Sequence, residues 1–135
     1  MSDISVVLDT NIFVAAGFNS QSHSARVLDQ VRDARVRLVW NEVTRDEIRA
    51  TLQQIPPLSW ERVARLFRPE DRFEGEVHPE NYCFVPDPAD GEFIALAEAA
   101  DAILVSHDGD LLVHSERASV PVLTSAEFPH RDAQQ

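Results

Sequence analysis

Four carboxylates, Asp9, Glu47, Asp90 and Asp108, stand where side chains from distant parts of the chain can converge. Asp9 follows the apolar run Ile4–Leu8, and Asp108 follows Ala102–Val105, so each closes a buried strand. Acids at strand carboxyl ends project from one edge of a parallel sheet, which is where such sheets carry function. Asp90 opens a helix ahead of an apolar face and can point to the same edge. Glu47 lies beside Ile48, at the boundary of a helix's buried side. Carboxylates brought this close repel, so some must take up protons or bind cations. An all-oxygen set suits a hard ion, Mg²⁺ or Mn²⁺. No cysteine or histidine pair has zinc spacing. Such a site suits phosphodiester hydrolysis: one ion lowers the pKa of a bound water, and a second neutralises the leaving oxygen. Asp90 or Asp108 can orient the attacking water. Asn11 and Ser106, short polar side chains beside these acids, can fix their geometry.

Each residue also has an ordinary structural reading. An aspartate after a strand is commonly a turn former or helix cap. Asp90 taken alone reads as an N-cap and Glu47 as a solvated helix residue. Asp87 and Asp110 read as cap and turn residues, though either can assist the site. The combined pattern is what points to a metal.

The elements that must position these side chains alternate between strand and helix. After the first strand comes a small apolar stretch, Ile12–Phe18, and a break at Asn19–Ser22. Ser24–Asp33 has helical spacing through Ala25, Val27, Leu28 and Val31. Arg37–Trp40 reads as a second buried strand. Asn41 caps the next helix, with Thr44 in its first turn and a stripe of Val43, Ile48 and Leu52, until Ile55-Pro56-Pro57 stops it. Ser59 caps a shorter helix whose apolar residues are Trp60, Val63, Leu66 and Phe67. Pro69–Asn81 is charged and irregular and reads as a long loop. Tyr82–Val85 is a strand candidate holding Cys83, which reads as a small buried residue. Asp87-Pro88-Ala89-Asp90 starts a helix with apolar Phe93, Ile94, Leu96, Ala97 and Ala100. Asp108–Val113 reads as a turn or short helix, Val120–Leu123 as a last strand and Thr124–Phe128 as a final turn. The alternation implies an α/β domain with a mainly parallel sheet. One domain is expected over residues 1–130, followed by a short tail at 131–135.

Charge narrows the partners. The net charge of −11 argues against gripping nucleic acid by bulk charge. All 12 basic residues are arginines. Ten of them lie between Arg26 and Arg72 against eight acids, and the rest of the chain has two arginines against 15 acids. The arginine-rich part reads either as a solvated helix surface or as a rim that holds a phosphate backbone. Arg45 and Arg49, which flank Glu47, are the candidate contacts to such a backbone. No apolar run approaches a membrane span. The N-terminus carries an acid at position 3 and no basic region, so no cleaved signal is expected. A cytoplasmic protein is the expectation.

A family resemblance rests on three blocks in order. VVLDTNIFVAAGF is similar to the opening of PIN domains, where a strand ends in Asp-x-Asn. NEVTRDEIRATL resembles their second acidic motif, a helix carrying a glutamate. DPADGEFIALAEAADAILVSHDGDLL resembles the third, in which an Asp opens a helix and a strand leads to Thr/Ser-x-Asp. The resemblance runs from about Val6 to Phe128 and is nearest to VapC-like toxin components of bacterial toxin–antitoxin pairs. It implies a three-layer α/β/α fold and places the family's acids on Asp9, Glu47, Asp90 and Asp108, with Asn11 and Ser106 as polar helpers. The assignment of Glu47 rests largely on it. Relatives often carry a further Asp where Gly91 stands, which leaves Asp87 as second candidate for the third acid. His107 occupies a place often held by Gly or a basic residue; it reads as a surface turn histidine or as a contact to phosphate or metal-bound water. The resemblance further implies an endoribonuclease using Mg²⁺ or Mn²⁺, a homodimer or higher homo-oligomer, and a small antitoxin covering the acidic groove.

Two other readings compete. VVLDTN also resembles the strand-end aspartate of haloacid-dehalogenase-like phosphatases and response-regulator receivers. Both need an electropositive partner, usually lysine, and this chain has no lysine. The other is a non-catalytic PIN-fold module that binds RNA or protein, which intact acids weaken without excluding.

Overall fold

The structure is a computed structural model that describes residues 4–82, 87–107 and 120–128. Strand β1 (Ser5–Leu8) enters helix α1 (Thr10–Phe18) directly, and helix α2 (His23–Arg32) leads into strand β2 (Arg37–Leu38). Helix α3 (Glu42–Gln53) follows. Short 3₁₀ turns then occupy Trp60–Arg62, Ala64–Leu66, Pro69–Asp71 and Pro79–Tyr82. Helix α4 (Pro88–Ala100), strand β3 (Ile103–Val105) and strand β4 (Val122–Leu123) complete the described elements.

The sheet is parallel throughout, in the order β2-β1-β3-β4. Val6, Val7 and Leu8 are all buried, although alternate residues of a strand face opposite sides. Both faces of β1 are therefore covered by helices, which gives three α/β/α layers and accounts for the unbroken apolar run. From β1 the chain goes first to one neighbour, β2, and later to the other, β3. That reversal opens a crevice at the carboxyl ends of β1 and β3.

Local signals set the helix ends. Asp9 accepts from the Ile12 amide at 3.4 Å and caps α1, so the apolar stretch from Ile12 is helical. Ser22 caps α2 through the Ala25 amide at 3.1 Å, and Ala25, Val27, Leu28 and Val31 are buried as their spacing requires. Asn41 and Thr44 form a reciprocal capping box on α3.

Four expectations change. The buried stripe of α3 is Thr44, Ile48 and Leu52, and Val43 is 52% exposed, because the i, i+4, i+8 row begins one residue later. The strand read over Arg37–Trp40 is two residues long, with Trp40 making an isolated bridge to Arg72. Ser59 donates to Glu61 at 2.9 Å instead of capping, and 60–66 winds as two 3₁₀ turns. Tyr82 closes a 3₁₀ turn, with its hydroxyl donating to Glu98 at 2.5 Å, so it starts no strand. Residues 83–85 of that strand candidate, Cys83 included, lie outside the described residues, as do 108–113 and the 131–135 tail.

Phe67 joins the parts of the core. Its ring lies 5.6 Å from Phe13 of α1, 5.9 Å from Trp40 and 5.1 Å from Trp60, centre to centre. These separations suit aromatic packing. The Trp40 indole also donates to the Arg68 carbonyl at 2.8 Å, and Arg37 pairs with buried Asp71 at 3.0 Å.

Candidate metal centre

The acidic pocket forms where β1 gives way to α1. It is lined by Asp9, Thr10 and Asn11 from that corner, Glu47 and Thr51 from α3, and Asp87, Ala89, Asp90 and Phe93 from the start of α4. Residues up to 84 apart in sequence thus share one depression at the carboxyl edge of the sheet.

Asp9 is 3% exposed. The pairing of β1 with β3 brings its amide to the Val105 carbonyl at 3.3 Å. One carboxylate oxygen faces the Ile12 amide, and the other accepts from the hydroxyl of fully buried Ser106. Ser106 is itself anchored, its amide donating to the Leu123 carbonyl at 2.9 Å. These two bonds hold the plane of the carboxylate. The capping reading of Asp9 and its place in the pocket are therefore both met by one side chain.

Asp87 and Asp90 divide their duties. Asp87 is exposed and caps α4, accepting from the Ala89 amide at 3.0 Å, with Pro88 as the first helical residue. Asp90 follows in the first turn and is 7% exposed. The cap that Asp90 alone suggests is thus supplied by Asp87, and Asp90 is the buried carboxylate. Gly91 faces elsewhere: a Cβ there would lie 3.6 Å from the Tyr82 carbonyl oxygen and 3.8 Å from that of Pro79. A carboxylate at that position would start against two acceptors, so its absence here takes nothing from the pocket.

Two pocket residues escape the motif reading. Thr51 is four residues after Glu47 and lies on the same helix face, a signal that was present in the spacing. Thr10 is the first residue after the cap, and its hydroxyl oxygen is buried with no hydrogen-bond partner among the described residues. Other candidates fall outside the pocket. His107 is exposed and turns Nε2 toward the Ser125 hydroxyl, with the Ser125 amide at 3.4 Å. Arg45 stacks 5.1 Å over Trp40, and Arg49 lies 6.0 Å over Trp60. Asp108 and Asp110 lie outside the described residues.

The donors suit a hard cation. Every polar side chain lining the pocket offers oxygen, apart from the amide nitrogen of Asn11. Among the described residues, no three Asp, Glu, His or Cys side chains are grouped closely enough to hold a metal ion by themselves. No helix among the described residues is long and apolar enough to cross a membrane.

Comparisons with known proteins bear on this geometry. A family model described as PIN domain matches residues 5–110. Among solved structures, FitAcB from Neisseria gonorrhoeae superposes with a TM-score of 0.58 at 20% identity, over 90% of this chain and 99% of that one. PAE2754 from Pyrobaculum aerophilum gives 0.58 at 15% identity, over 100% of both chains. FitAB bound to the IR36 DNA fragment gives 0.52 at 19% identity, over 89% of this chain and 94% of that one. No curated protein matches the chain in sequence. The family match spans β1, the three acidic motifs and β3, the parts that build the crevice, and on that ground the chain belongs to the PIN domain family.

Proposed function

We propose that this protein is a metal-dependent endoribonuclease whose site is the pocket of Asp9, Glu47 and Asp90, completed by Asp108. The supporting observation is that Asp9, Glu47 and Asp90, carried by three separate elements, line one oxygen-rich depression at the carboxyl edge. Asp9, Glu47, Asp90 and Asp108 would hold Mg²⁺ or Mn²⁺, which when bound supplies an activated water and neutralises charge on phosphate. Ser106 and the Ile12 amide hold the Asp9 carboxylate in place, which keeps its orientation fixed before substrate arrives. Asp90 lies buried in the first turn of α4, beside a helix N-terminus, where an anion is favoured. Thr10 and Asn11 offer hydroxyl and amide groups to a phosphate oxygen or a water.

RNA is the proposed substrate and the cytoplasm the proposed place of action. A toxin role with a small antitoxin partner and a homodimer is the biological reading that the VapC-like resemblance carries. The test compares cleavage of defined RNAs by the natural protein and by Asp9→Asn, with and without Mn²⁺. Mn²⁺-dependent cleavage lost in the variant is the expected result; equal activity in both proteins sinks the proposal. The spacing of the described acids also keeps a second reading, a binding module without turnover. A calorimetric titration separates the two, because a scaffold takes up neither Mg²⁺ nor Mn²⁺.

A further inference from the structure

The segment Trp60–Arg68 reads WERVARLFR, with arginine at every third position and apolar Trp60, Val63 and Leu66 also at every third position. An α-helix would spiral these two sets around its axis. A 3₁₀ turn repeats every three residues, so residues i and i+3 eclipse. The segment is wound as two successive 3₁₀ turns, Trp60–Arg62 and Ala64–Leu66. Val63 and Leu66 are buried, and Arg62, Arg65 and Arg68 fall in a row along one cleft, which Arg32 at the end of α2 also lines. At about 2 Å rise per residue, this winding sets Arg62 and Arg65 about 6 Å apart along its axis, comparable to the step between neighbouring phosphates of a single strand; Arg68 follows on extended backbone.

The row is both anchored and available. Arg68 donates to the carbonyls of Val31 and Arg32 at 2.9 and 3.2 Å, and Arg32 pairs with Asp29 at 2.8 Å. Arg62 and Arg65 are exposed, with no hydrogen-bond or ion-pair partner among the described residues. Glu61 also lines the cleft; its backbone hydrogen bond and the Ser59 hydroxyl hold its carboxyl below the usual range, so it stays charged. Four arginines against one acid make this cleft cationic in a chain of net charge −11. It shares no lining residue with the acidic pocket. Helix α3 carries Glu47 and Thr51 into that pocket and, between them, sets Arg49 over the ring of Trp60, the residue that opens the row.

We propose that Arg62, Arg65 and Arg32, with Arg68 as the fixed end, form a contact surface for the phosphate backbone of single-stranded RNA. The assignment rests on the ribonuclease reading for its substrate. The arginine forks suit phosphate oxygens, which accept paired N–H donors. The exposed pair Arg62 and Arg65, three residues apart in one 3₁₀ winding, suits consecutive phosphates of one strand better than carboxylates spread over flexible side chains.

The test uses the Asp9→Asn protein, so that RNA is bound without being cut, and reads fluorescence anisotropy with a labelled 12-nucleotide RNA across a salt series. Adding Arg62→Ala and Arg65→Ala is expected to weaken binding about tenfold or more. The logarithmic salt slope should fall by about 1.4, the value for two phosphate contacts on a single strand. The Arg62→Lys, Arg65→Lys pair keeps most of the slope. With Asp9 intact, the double alanine variant should lose more kcat/KM on a long RNA than on a tetranucleotide. An unchanged slope and affinity overturn the contact surface. So does loss of binding to a polyglutamate peptide with RNA binding retained, which would give the cleft to an acidic protein segment. Because the binding arm uses protein that cannot cut, failure of the ribonuclease reading would show separately, as absent cleavage with intact Asp9.

Discussion

The acidic pocket and the arginine row are built in opposite ways. The pocket draws Asp9, Glu47 and Asp90 from three elements and exists only because the sheet order brings them to one edge. The row is nine consecutive residues, and its pattern is complete before any long-range contact forms. Yet the row needs a 3₁₀ winding to align its arginines, and that winding depends on Val63, Leu66 and Phe67 being buried together. Chemistry that needs several charges at a point requires tertiary structure. Chemistry that needs charges along a line can be encoded locally and merely pressed into shape.

Phe67 packs the arginine segment against α1 and Trp40, so its truncation is the largest expected effect. Phe67→Ala removes contacts to Phe13, Trp40 and Trp60 and should cost about 3–5 kcal/mol in urea unfolding. A loss below about 1 kcal/mol would show that the segment is packed independently of α1 and Trp40.

Asp9→Asn probes the pocket alone. Cleavage should fall at least ~100-fold, while stability changes by less than about 1 kcal/mol because Asn caps a helix as well as Asp. A large stability loss would mean that the capping role dominates. Ser106→Ala is expected next, weakening Mn²⁺ affinity measured by calorimetry by about 10–100-fold, since it frees the Asp9 carboxylate to turn. Unchanged affinity would remove Ser106 from the site.

The two acids of α4 sharpen the contrast between local and convergent roles. Asp87→Ala should cost about 1 kcal/mol of stability, as a lost N-cap does, and should affect cleavage less than Asp90→Asn. The reverse order would make Asp87 the third acid. The smallest effect lies outside both regions. The hydrogen bond that His78 donates to Glu80, at 3.1 Å, raises the pKa of His78 above its usual 6.5, and the charges of Glu80, Glu76 and Glu98 add to this. That pair's contribution is fully present below pH 6.5 and fades as pH rises through the raised value. Both partners are exposed, so the effect should show as a shifted His78 titration by NMR that Glu80→Gln moves back down, with little change in unfolding.

The sequence by itself determined the strands around Val7 and Leu104, the Asn41–Thr44 cap, the buried stripe of α2 and the parallel α/β class. These depend on neighbours within four residues or on apolar spacing along one element, and both are written in order along the chain. It also marked Asp9, Glu47 and Asp90 as acids worth bringing together, through motifs in series. Only the tertiary structure decided that β1 sits between β2 and β3, which places Ser106 against Asp9 across 97 residues. Only it separated Asp87 as the cap from Asp90 as the buried acid, exposed Val43 in place of Thr44, and wound 60–66 as 3₁₀ turns. The reason is common to all of these. Each outcome turns on which partner surface covers a side chain, and a strip of sequence holds the pattern of apolar residues without the identity of what will cover them.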